Sequence, residues 1–380
     1  MFPRSLSLFT LLLAAPQLMA QAPSIKSPTP GNTTGVLQAE LVAKGLVNPW
    51  ALGFLPDSRM LVTERPGRLR FVGKDGTLGV PISGVPAVAF AGQGGLLDLA
   101  IDPKFAQNQT IYLSFAEADE NGAVGTAVAR ARLVGNALTE VKVIYRQEPK
   151  VNSGAHFGSR IAIGKDGTLW ITAGDRFNQR PLVQNLGTGI GKIVRINPDG
   201  TIPKDNPFVG RRGANPAIWS YGHRNLQGAA VDPSGRLWTV EHGAKGGDEL
   251  NHPEAGKNYG WPIITYGTDY DGTKIGNGTE QAGMEQPVYY WDPVIAPSAI
   301  LVYTGDKFPG WQGNFLVGGM GQVNALVRLV MVNGVVVREE RHLGELRLRI
   351  RDVVQGPDGY VYITSENGDG QIWRLRPVGH

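Results

Sequence analysis

The chain has 380 residues, 42% of them hydrophobic and 18% charged, with a net charge of +4. That length and apolar content suit one large or two average domains with a sizeable core, and the small, dispersed charge argues against nucleic acid as a partner. There is no cysteine, which excludes disulfides, thiolate metal sites, iron–sulfur clusters and a cysteine nucleophile.

The N-terminus reads as an export signal over residues 1–20. Arg4 supplies the positive start, Leu6 to Ala15 the short apolar stretch, and Leu18-Met19-Ala20 a cleavage site before Gln21. That stretch is too short to span a bilayer, and no later run is long enough. The expected mature protein is soluble and periplasmic or secreted. Residues 21–35, with Pro23, Pro28, Pro30 and Gly31, read as a disordered lead-in.

One pattern then repeats: a Pro-Asp or Asp-Gly turn, a short apolar strand and a polar exit. It runs through Pro56 to Glu64, Asp166 to Asp175, Pro233 to Glu241 and Pro357 to Glu366, with weaker copies at Asn108 to Phe115 and Gly313 to Gly318. Taking Met60, Ile111, Leu169, Leu237, Phe315 and Val361 as equivalent gives gaps of 51, 58, 68, 78 and 46 residues. Such gaps fit a four-stranded blade with loops of varying length. The predicted fold is all-β, a six-bladed β-propeller over residues 36–380. Residues 36–48 are expected to join the last blade and close the ring. A pair of β-sandwiches fits less well, because the repeat is too long for one hairpin. No long 3.6-residue apolar period predicts substantial helix.

Ligands of propellers sit where inner strands and loops converge at the channel mouth. In chain order, Gln93 stands in the glycine-rich Gly92 to Asp98, where the backbone can approach a ligand closely. His156 stands among glycines before the strand Ile161-Ala162-Ile163, either as a general base or as a structural histidine bonded to backbone. Tyr221 to Gly228 packs Arg224, Asn225 and Gln227 between two glycines. Arginine's planar fork suits carboxylates, and the amides add donors and acceptors. Glu241 to Asn251 combines carboxylates with flexible backbone, the oxygen chemistry Ca²⁺ selects, or is a plain polar loop. Arg347, Arg349 and Arg351 alternate, so a strand would turn them to one face. If the fold joins the two arginine segments, they can grip a compact polyanion; taken alone, either segment reads equally as a solvated edge strand with scattered charge.

Together these segments resemble the soluble quinoprotein sugar dehydrogenases, in particular the aldose sugar dehydrogenases. The resemblance spans about residues 36–376. It is carried by Gly92 to Asp98, His156 to Arg160, Gly191 to Gly200, Tyr221 to Gly228, Glu241 to Asn251, Asn258 to Pro262 and Arg349 to Gly359, in that order. It implies a six-bladed propeller holding pyrroloquinoline quinone (PQQ) and calcium, which oxidises aldose sugars at C1 to lactones. In that reading Arg224, Arg349 and Arg351 bind the PQQ carboxylates, assisted by Gln93, Asn225 and Gln227. Backbone carbonyls of Gly243 and Ala244 hold a catalytic Ca²⁺, and Glu249 with the Tyr259 backbone a structural one. His156 takes the sugar's hydroxyl proton. Three positions depart from the family pattern. Ala155 stands where an acid or histidine often precedes the base, Ala244 replaces a proline, and no lysine occurs in Gly318 to Val323.

The partners implied are an aldose and an external electron acceptor, a quinone or redox protein, for a monomer or homodimer. Two other functions compete. A calcium-dependent sugar-lactone hydrolase would rest on carboxylate-ligated metal and need no arginine cluster. A non-catalytic glycan- or protein-binding propeller would make His156 and Arg224 dispensable.

Overall fold

The computed structural model describes Thr33 and residues 35–378, apart from Gln322 and Asn367. The export signal at 1–20 and nearly all of the lead-in at 21–35 lie outside the described residues. Six four-stranded antiparallel sheets are arranged as blades of a propeller. Blades 1 to 5 are formed by residues 49–81, 96–146, 158–221, 226–291 and 297–342. Blade 6 takes three strands from residues 350–377 and its outermost strand from Leu37–Leu46. Leu41 pairs with Trp373 in that ladder, so the ring closes between the two ends of the chain, as expected.

The six landmark residues mark one structural position. Met60, Leu169, Leu237, Phe315 and Val361 begin the second strand of their blades, and Ile111 is the second residue of its own. All six are buried. Local chemistry sets each start: in Asp166-Gly167, the Asp166 carboxylate accepts from the N–H and hydroxyl of Thr168, while Gly167 takes a φ of +83°. Helix is confined, among the described residues, to Phe105–Asn108 and two 3₁₀ turns.

Six apolar seams run through the core, one between each pair of neighbouring blades. Leu61 and Leu69 of blade 1 pack with Leu99 and Ile111 of blade 2. Trp238 of blade 4 packs with Phe315 of blade 5. On the axis, Arg160 of blade 3 reaches every other blade. Its guanidinium donates to Asp98 of blade 2 (2.8 Å), Asp352 of blade 6 (3.1 Å), and the carbonyls of Gln227 in blade 4 and Ser298 in blade 5 (3.0 Å each). It lies over the Trp50 ring of blade 1 at 4.2 Å. Second strands run from the Asp-Gly turns toward the opposite face, so Glu64, Ala173, Glu241 and Ser365 end at the mouth.

Candidate active site

One hollow, about 580 Å³, is a groove between blades 6 and 1 lined by Phe54, Lys74, Tyr362 and Arg374. It opens on the turn face and holds none of the candidate groups. A smaller one, about 240 Å³, lies at the mouth. Gln93, Asn225, Gln227, Arg349 and Arg351 all line it, although they come from segments far apart in sequence.

Glycine makes the Gln93 loop possible. A β-carbon on Gly92 would stand 2.4 Å from the Gly154 carbonyl, the same carbonyl that accepts from the Gln93 N–H at 2.7 Å. The Gln93 side chain then accepts from the His156 N–H at 2.8 Å. Asn225 accepts from Gln227 at 3.1 Å, and Gln227 accepts from Arg351 at 3.2 Å. Arg351 grips Glu366 with two donors, and Arg349 donates to the same carboxylate at 2.9 Å. These arginines hold Glu366, despite its burial, down to about 2. Arg347 does not share their face. The strand begins only at Ile350, and Arg347 caps a 3₁₀ turn at a φ of +50°; the alternating pattern holds for two arginines, not three.

Trp50, Arg65, His242 and Glu366 also line the mouth cavity and were not singled out from the sequence. The Arg65 guanidinium donates to the Gly92 carbonyl and lies 5.5 Å from the Phe90 ring. Burial and the neighbouring Arg351 lower its pKa. Three guanidinium groups thus face the cavity against one carboxylate. Burial, with Arg224, His156 and Arg351 nearby, pushes His242 down to about 3, so its ring is neutral.

His156 is buried at the start of blade 3, at a φ of +51°. Its carbonyl passes so close to Gly174 that a β-carbon there would stand 2.2 Å away. That contact brings Asp175 beneath the ring, with His156 Nδ1 2.6 Å from Asp175 Oδ1. Asp175 also accepts from the Phe177 N–H (2.8 Å) and from the Trp261 indole (2.8 Å). Burial alone would raise its pKa, but the His156 bond and the His156 and Arg224 charges prevail and lower it. Burial lowers the pKa of His156, helped by Arg224 and Arg176 and opposed by Asp175. An ionised carboxylate only accepts, so Nδ1 carries the proton and Nε2 keeps a lone pair. The orienting partner absent at Ala155 is supplied from the next strand.

Arg224 is buried, and its guanidinium turns away from the arginine cluster. It donates to the carbonyls of His242 (3.2 Å) and Gly243, and to the Tyr270 hydroxyl (3.1 Å). Gly243 and the buried Ala244 form a tight loop; the Gly243 N–H is held by Asp248 at 2.8 Å. Glu249 and Tyr259 lie on either side of one network. Asn251 links Glu249 to Glu241, Glu241 accepts from His223, and the His223 ring stacks on Tyr259 at 4.9 Å. Burial and the Glu241 charge push Glu249 up to about 8. Among the nearby aromatic residues, Trp291 is in the core bonded to Glu339, Trp261 is buried against Asp175, and Tyr266 stacks on Tyr290.

Comparison with known proteins places this geometry. The glucose/sorbosone dehydrogenase family pattern matches residues 46–374. The aldose sugar dehydrogenase YliI of Escherichia coli K12 is 44% identical over 348 residues, covering 90% of this chain and 93% of that protein. The crystal structure of the soluble E. coli aldose sugar dehydrogenase in its apo-form superposes with a TM-score of 0.87 at 43% identity, over 90% of this chain and 99% of that one. The PQQ-bound aldose sugar dehydrogenase of Streptomyces coelicolor superposes with a TM-score of 0.74 at 27% identity, over 90% and 98%. The chain belongs to the glucose/sorbosone dehydrogenase family and is an aldose sugar dehydrogenase, an oxidoreductase.

Proposed function

We propose that the mouth cavity binds PQQ with Ca²⁺ and oxidises the anomeric carbon of an aldose to the lactone, with His156 as general base. The observation that carries this reading is the His156–Asp175 pair standing beside a cavity with three guanidinium groups and one carboxylate. A tricarboxylate fits that imbalance of charge. Arg65, Arg349 and Arg351 would hold its carboxylates, with Gln93, Asn225 and Gln227 fixing its edge. The Gly243 carbonyl already accepts from a cationic guanidinium, Arg224, and so presents the oxygen chemistry a calcium ion needs. The Ala244 carbonyl would be its neighbour. Burial and the neighbouring Glu241 charge raise the Glu249 pKa, and a second cation held by Glu249 with the Tyr259 backbone would relieve that repulsion.

When bound, PQQ supplies a two-electron acceptor for the hydride leaving C1. The chain's own part is proton management and positioning. His156 Nε2 accepts the proton of the anomeric hydroxyl. Asp175 holds the ring in the tautomer that leaves Nε2 free, and steadies the imidazolium that results. The orientation of Asp175 is fixed in turn by Trp261. Electrons leave to an external quinone or redox protein. The pattern from Arg4 to Ala20 supports export to the periplasm or medium; N-terminal sequencing of exported protein should begin near Gln21.

The test is reconstitution. Purified protein given PQQ and Ca²⁺ should develop a visible absorption band and reduce a dye with D-glucose as donor, and chelation should reduce both. Lactone hydrolysis without PQQ, with no dye reduction, would establish the hydrolase instead. No observation favours that reading, because the cavity's single carboxylate is already paired with two arginines.

A further inference from the structure

Two aromatic rings stand in water beside the base. Phe177 is 45% exposed and Tyr270 57% exposed. The Phe177 and His156 rings meet edge-to-face at 5.2 Å, and the Phe177 and Tyr270 rings lie 6.4 Å apart with 28° between their planes. They come from different blades, Phe177 from the exit of a blade 3 strand and Tyr270 from the long excursion between 252 and 288 in blade 4. A single exposed apolar residue is ordinary. These two are held out of the core by specific bonds.

Arg176 and Phe177 both adopt left-handed backbone, φ +57° and +66°, which residues with a β-carbon rarely do. The Phe177 N–H is tied to Asp175 Oδ1, the oxygen that also meets His156. Arg176 is buried beneath, stacked 3.5 Å from the Phe157 ring and donating to the Ser153 carbonyl. On the other side, the Tyr270 hydroxyl accepts from Arg224. The Tyr270 N–H donates to Asp269 at 2.9 Å, and Asp269 is paired with Arg180 of blade 3 at 2.6 Å. Backbone strain and an inter-blade ion pair therefore fix two rings at the edge of the site. Rigid aromatic faces of this kind gain by covering apolar C–H surface.

We propose that Phe177 and Tyr270 form an aromatic wall that takes the apolar C–H face of an aldopyranose ring and sets its anomeric hydroxyl within reach of His156. The inference rests on the dehydrogenase reading and adds to it two residues that position the sugar ring. The wall acts on binding, so it governs KM more than kcat.

The experiment uses protein reconstituted with PQQ and Ca²⁺, with D-glucose as the probe. Phe177→Ala and Tyr270→Ala should each raise KM several-fold to about tenfold, the size of one aromatic contact, with kcat within about threefold of wild type. Phe177→Tyr should restore the wild-type KM. The PQQ dissociation constant, read by absorbance titration, and the acid limb of the pH profile should stay in place. If Phe177→Ala fails to fold, Phe177→Leu and Tyr270→Ala carry the same test. An active wild type with unchanged KM in the double variant overturns the wall alone. A KM rise matched by an equal loss of PQQ affinity also overturns it, since the rings then only support the cavity. A wild type that oxidises no aldose in the presence of PQQ overturns the underlying reading and the wall together.

Discussion

One oxygen, Oδ1 of Asp175, lies 2.6 Å from Nδ1 of His156 and 2.8 Å from the N–H of Phe177. The other oxygen of the same carboxylate takes the Trp261 indole. A single buried side chain thus sets the tautomer of His156, the backbone that carries the adjacent ring, and its own orientation. Its place is secured by the close passage of His156 over Gly174.

Asp175→Asn should keep the shape and lose the chemistry. The amide can donate to Nδ1, which moves the imidazole proton to Nε2 and blocks proton acceptance. Turnover with D-glucose should fall by about 10²–10⁴-fold, the usual worth of general-base assistance. PQQ affinity and the unfolding midpoint should change little. Steady-state kinetics beside a PQQ titration check this, and near-normal turnover would remove Asp175 from the mechanism.

Activity should fall on acidification, and late. A protonated imidazole cannot accept the hydroxyl proton, so kcat/KM drops as pH falls through the His156 pKa. Burial and the neighbouring Arg224 and Arg176 place that pKa below the ordinary value of about 6.5. Arg176→Met removes one of the two cations and should move the acid limb to higher pH. Arg176 is the better site for this, because two of its guanidinium nitrogens have no partner among the described residues. A limb that stays fixed or moves down contradicts the assignment.

Arg351→Ala and Arg65→Ala should each weaken PQQ binding at least tenfold. A charge-assisted hydrogen bond contributes about 1.5–3 kcal/mol. The two should differ in stability. Arg351 leaves Glu366 short of a partner, whereas Arg65 touches only a carbonyl and a ring among the described residues. Fluorescence titration of PQQ into each apoprotein, with a denaturation curve, separates binding from folding.

Arg160→Met should be costly without touching the site's chemistry. It strands Asp98 and Asp352, both buried, and removing one partner of a buried ion pair costs about 3–5 kcal/mol. Arg160→Lys should not restore the loss, because one ammonium cannot match a fork that serves four acceptors in four blades. Chemical denaturation provides the measure.

The turns and second strands were legible because they are local: Asp-Gly chemistry and a run of apolar residues need no distant partner. Met60, Ile111, Leu169, Leu237, Phe315 and Val361 therefore fell on one structural position. The cavity's amides and two of its arginines were legible as clusters. Their partners were hidden, although one signal ran through the repeat itself. Four copies end in an acid at the mouth, Glu64, Asp175, Glu241 and Glu366, and each meets a basic group there. Which base meets which acid depends on blade packing, and spacing does not encode it. The same holds for Arg224, whose side chain follows the Gly243 carbonyl instead of joining Arg349 and Arg351. Arg347 was misplaced because a 3₁₀ turn interrupts the alternation just before the strand.

The ladder between Leu37–Leu46 and Gly370–Pro377 bears on how the molecule is made. Of the described strands, the first to leave the ribosome is among the last to find its partner, across more than 300 residues of intervening chain. Until the final strand arrives, Ala43, Leu46, Met60 and Val62 on one side and Tyr362 on the other lack the seam that covers them in the finished ring. A nascent or shortened chain ending before Gly370 carries that uncovered seam and an unpaired sheet edge. It is therefore exposed to association with other chains throughout its synthesis.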